Sequence, residues 1–143
     1  MSKHPTLDAL KALSAELDFT FVVEPASPAH REISVRVIRV LHGEGEWRVP
    51  CFDEYGDADH PSRVVLLHLI LDACEFFEEA PDFETWRLDM GLKDDPISRE
   101  MHDDLAAIVP EIRAVVGPDA AAIRPYAIEF NTDLAKALRA CTD

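Results

Sequence analysis

A histidine and three carboxylates recur at helical spacing in the middle of the chain: His68, Asp72, Glu75 and Glu79 stand at offsets of 0, 4, 7 and 11 residues. On a helix turning about 100° per residue they share one face, and His68 with Asp72 offers a nitrogen and an oxygen ligand to one ion. A metal-binding or hydrolytic site on His68, Asp72 and Glu75 is therefore one expectation. Against it, helical metal centres recruit ligands from several elements, and the Glu-x-x-His signature of bundle diiron sites is absent. Asp53, Asp57, Asp59 and His60 have the residue types to hold a hard cation, but they lack the spacing and central glycine of an EF-hand loop. Covalent chemistry has less to build on. The chain has no Gly-x-Ser-x-Gly elbow and neither of the usual glycine-rich phosphate loops. Cys51, Cys74 and Cys141 form no Cys-x-x-Cys pair, and the first two sit in apolar sequence, which reads as core. No cofactor is expected, and a non-enzymatic role is the leading reading.

The carboxylates do stand out by density. The 143 residues include 28 acids and 14 Lys or Arg, a net charge of −14. Residues 72–104 carry twelve acids against Arg87, Lys93 and Arg99, a local balance of −9. Asp53, Glu54, Asp57 and Asp59 form a second cluster. Like charges at this density repel one another and cost stability, a cost that an external cationic partner relieves. The expected docking residues are thus Asp53, Glu54, Asp57 and Asp59 in one segment and Glu75, Glu78, Glu79, Asp82, Glu84, Asp89, Asp94 and Asp95 in the other. Trp86, Phe83 and Tyr55 would be aromatic anchors inside the polar rim. In size and charge the chain resembles the small acidic immunity proteins of bacterial toxin systems. That likeness implies an inhibitor, immunity-like or antitoxin-like, of a basic protein such as a nuclease. A homodimer, or a homo-oligomeric subunit of a larger assembly, is the remaining alternative.

The same charge disfavours direct binding to nucleic acid or to anionic lipid, since both are held through Lys and Arg. The longest apolar run, Val64 to Leu71 interrupted by His68, falls short of the roughly 20 residues of a membrane span. Asp8 and a helical pattern occupy the place of a secretory signal's apolar stretch, so the chain is expected to be cytoplasmic.

The elements that must position these groups follow from hydrophobic period. Leu7, Leu10, Leu13 and Leu17 predict a helix over 6–17, with Thr6 able to cap it. Phe19, Phe21 and Val23 alternate as a strand. Ile33, Val35 and Val37 do the same, and a reversal of phase over 38–40 suggests a bulge. Gly43 and Gly45 mark a hairpin to a return strand carrying Trp47, Val49 and Cys51, with Pro50 placing that strand at an edge. These strands make a three-stranded antiparallel meander of roughly residues 18–52. Pro61-Ser62 opens a helix to about residue 79 that is apolar on nearly every side except the His68 stripe. Asp82 caps a short helix through Trp86 and Leu88, ended by Gly91. Asp95-Pro96 opens a long one with Ile97, Met101, Leu105, Ile108, Ile112 and Val115 on one face. Pro110 is expected to kink that helix near Ala106 and Ala107. Asn131 caps a last helix bearing Leu134 and Leu138. At 48% apolar residues, residues 1–143 read as a single α+β domain: an N-terminal helix and meander, then a helical C-terminal half packed on one face of the sheet.

Overall fold

The computed structural model describes residues 5–25, 35–52, 62–116 and 131–141. The chain begins with helix α1 (Pro5–Glu16). A proline's fixed φ suits a first helical position, so the helix begins one residue before Thr6, which lies inside it rather than capping it. Leu7, Leu10 and Leu17 are buried. The end of α1 is met by a cation from a later helix: Arg63 Nε donates to the Ser14 carbonyl at 3.0 Å and its Nη2 to the Leu17 carbonyl at 2.8 Å. Those carbonyls lie at the helix end, where intrahelical donors run out and partial negative charge collects.

Strands β1 (Thr20–Val23), β2 (Val35–His42) and β3 (Gly45–Phe52) form an antiparallel sheet in the order β1-β2-β3. Gly43 takes the left-handed conformation in the β2–β3 turn, with φ 60°, which glycine adopts without steric cost. The register sets Phe21 opposite Val40 and Val40 opposite Trp47, with Val23, Ile38 and Val49 in line on the same face. Ile38, Val40 and Val49 on that face are fully buried. The change of phase at residues 38–40 is not a bulge, because β2 pairs with β3 without a break from Val35 to His42. Instead Val35 and Val37, which point the other way, are buried as well. This end of the central strand is covered on both faces, and that produces the same apolar doublet in sequence.

Helix α2 (Arg63–Glu79) packs on the sheet and also against α1 and the later helices. Ser62 caps it, accepting the Val65 N–H at 3.3 Å. Ten of its residues, Val64 to Leu71 together with Ala73 and Cys74, are buried. Helix α3 (Phe83–Met90) follows, then α4 (Pro96–Val116), which runs along β3 and continues through Pro110. The Ala106 carbonyl, which would have accepted a bond from residue 110, belongs to an exposed residue where water can serve it. Met101, Leu105, Ile108 and Ile112 are buried as the period predicts. Ile97 and Val115, at the two ends of the stripe, are instead half exposed, at 51% and 50%. Helix α5 (Thr132–Arg139) closes the described chain against α1 and α2. Asn131 caps it, accepting the Leu134 N–H at 3.1 Å, and Leu134 and Leu138 are buried. The α+β architecture expected from the sequence is the one observed. Residues 117–130, between α4 and Asn131, lie outside the described residues.

Gly91 ends α3 at φ 75° and ψ 22°, with its N–H bonded to the last-turn carbonyls. A β-carbon in that conformation costs about 1–2 kcal/mol. Gly91→Ala should therefore lower the urea midpoint by an amount corresponding to that loss with an unchanged slope. An unchanged midpoint would show that the αL cap carries no weight.

Candidate functional site

The carboxylates of residues 72–104 divide by what the fold does with them. Two are helix caps. Asp82 accepts the backbone N–H of Thr85 at 3.0 Å and the Thr85 hydroxyl at 3.1 Å, while Asp95 accepts the Ser98 N–H at 2.7 Å. These bonds favour the charged form, so each carboxyl titrates below the ordinary aspartate range, chiefly because of the backbone bond from Thr85 or Ser98. A carboxyl held low in the folded state contributes stability above its unfolded pKa of about 4 and loses it as pH falls through the folded value. The advantage of the native chain over an Asp82→Ala/Asp95→Ala double variant should accordingly shrink between about pH 5 and about pH 2. Thermal melts across that range check it, and a constant difference would refute the assignment.

Four more acids are engaged by partners. Glu78 on α2 receives Arg113 of α4, with Nε at 3.0 Å, and this bond is the main cause raising that guanidinium above its already high ordinary range. Glu84 pairs with Arg87 at 2.9 Å within α3, and Asp94 with Arg99 at 2.9 Å. Asp104 accepts the backbone N–H of Arg48 at 3.0 Å. That last bond satisfies a donor on the outer edge of β3, the strand whose Pro50 cannot donate, so α4 shields the sheet edge from pairing with another chain.

Asp72 and Glu75 are half-buried and each has an interaction of its own. Glu79 at the end of α2, Asp89 on α3, and Glu100 and Asp103 on α4 are exposed, with no hydrogen bond or ion pair to the described residues. Of the docking residues expected from sequence, then, Glu79 and Asp89 keep an open carboxylate. Glu78, Asp82, Glu84, Asp94 and Asp95 are committed to the fold. Asp53, Glu54, Asp57 and Asp59 lie outside the described residues, as do Tyr55 and His60. Glu100 and Asp103 are the open acids the expected set omitted; they lie five and eight residues past Asp95.

Trp86 requires a correction. It is fully buried, so it is a core side chain and not an anchor for a partner. Its ring sits 5.1 Å from His102 and 6.3 Å from Phe83, and His102 also meets Phe77 at 5.3 Å and Phe83 at 5.4 Å. His102 Nε2 lies 2.9 Å from the Pro81 carbonyl, to which it can donate. Phe83 is half-buried, and the Arg99 guanidinium stacks on its outer side at 4.6 Å. This cluster fastens α3 to the end of α2 and to α4. Among the described residues of the helical half, the large apolar side chains left open are Leu88 at 61%, Ile97 and Val115.

His68, Asp72 and Glu75 do not share an open face. His68 is only 2% exposed, because α2 is surrounded on most sides and the stripe expected to meet solvent starts inside the core. Among the described residues no three His, Cys, Asp or Glu side chains converge to hold a metal ion. Burial pushes the Cys74 thiol up to about 12 despite the opposing charge of Arg113, so it stays protonated and inert at neutral pH.

Arg39 and Arg48 of the meander are paired with glutamates of the same region. On the exposed face Arg48 donates to both oxygens of Glu24 at 3.1 and 3.0 Å, and Arg39 Nε donates to Glu46 at 2.6 Å. Each exposed pair contributes at most about 1 kcal/mol, but together they cancel the positive charge that a polyanion would seek. Among the described residues no helix is long and apolar enough to cross a membrane. An open groove of about 560 Å³ lies between α1 and the start of α2, floored by Leu17, Phe19 and Val64 with Lys11 and Asp18 on its lining.

No protein-family model matches the chain, and comparisons with curated proteins and with solved structures found no significant match.

Proposed function

We propose that this chain is a non-enzymatic binding protein whose acidic helical face docks onto a basic protein, in the manner of an immunity-like or antitoxin-like inhibitor of a cationic enzyme such as a nuclease. One observation carries the reading: after caps and internal ion pairs are satisfied, Glu79, Asp89, Glu100 and Asp103 remain exposed with no hydrogen bond or ion pair to the described residues on a chain of net charge −14. Glu100 and Asp103 are three residues apart on α4, so they project less than one turn apart, about 4.5 Å along the axis. Carboxylates at that separation can occupy an Arg/Lys patch built to receive phosphate. The surrounding field would steer encounter and raise the association rate at low salt. With Trp86 in the core, Leu88 on α3 and Ile97 on α4 are exposed apolar side chains that a partner could bury.

Affinity capture from the native cytosol at low and high salt tests the reading. A basic protein should be recovered at low salt, lost on raising salt, and displaced by a polyanion such as heparin. Recovery of no basic protein, or recovery indifferent to salt and polyanion, would sink it.

A further inference from the structure

We draw no further inference here: the strongest candidate, the open groove between α1 and the first turn of α2 floored by Leu17, Phe19 and Val64, is an apolar face and nothing in the structure shows what covers it.

Discussion

Replacing Trp86 with alanine should destabilise the fold by about 3–5 kcal/mol, a large share of the 5–15 kcal/mol typical of a domain. The indole is wholly inside, between Phe83 and His102, and its removal leaves a cavity that flanking elements can close only by moving α3. Helix α3 spans only eight residues and is capped at both ends by its own neighbours, Asp82 and Gly91. Its attachment to the body rests on the buried Trp86, Met90 and following Leu92. Urea denaturation should show the loss in the midpoint, and Trp86→Phe, which keeps a ring against His102, should retain more stability than the alanine variant. The contrast with an anchor at a docking surface is sharp. An anchor's truncation weakens binding and leaves the midpoint where it was. If Trp86→Ala unfolds at the native midpoint, the burial described for this residue is wrong and the anchor role returns.

Trp86 also shows what spacing in a sequence can and cannot reveal. Local features were readable because their causes are local. Asp82 and Asp95 stand immediately before their helices with the recipient N–H three residues on, and Gly91 follows the last turn it terminates. The stripe of Met101, Leu105, Ile108 and Ile112 was equally plain, since a 3.6-residue period is imposed by a single buried side. At its ends the same rule fails: Ile97 and Val115 fit the period but are half exposed. The fate of the carboxylates was hidden for another reason. Glu78 meets Arg113 across 35 positions and Asp104 meets the backbone of Arg48 across 56, and neither separation leaves a pattern. A charge count therefore treated as one surface a set of acids that the fold divides into caps, ion pairs and open groups. His102 had a faint signal: it falls beside the buried stripe of α4, four residues after the buried Ser98, but which rings would meet it depended on the path of α2 and α3. His68 misled because the stripe it begins emerges only toward the end of α2: His68 is in the core, Asp72 and Glu75 are half-buried, and Glu79 is exposed.

That division sets the second large effect. Removing the open charges by Glu79→Gln, Glu100→Gln and Asp103→Asn should lower the rate of association with a captured basic partner on the order of tenfold at low salt. The difference should fade as salt rises to about 1 M, where the screening length drops to about 3 Å. None of these three side chains bonds to the described residues, so the variant should keep the native melting temperature or exceed it slightly, because self-repulsion on an acidic chain is relieved. The comparison that gives the experiment its force is a second triple, Glu16→Gln, Asp18→Asn and Glu44→Gln. These residues are also exposed and without bonds to the described residues, but they lie on α1, ahead of β1 and in the hairpin turn. Both variants change net charge by three, so a purely global field predicts the same loss from each. Docking through the helical face predicts a large loss from the first triple and a small one from the second. Equal losses, or none in the first, would remove the face formed by the end of α2 and the outer side of α4 as the place where a basic partner binds.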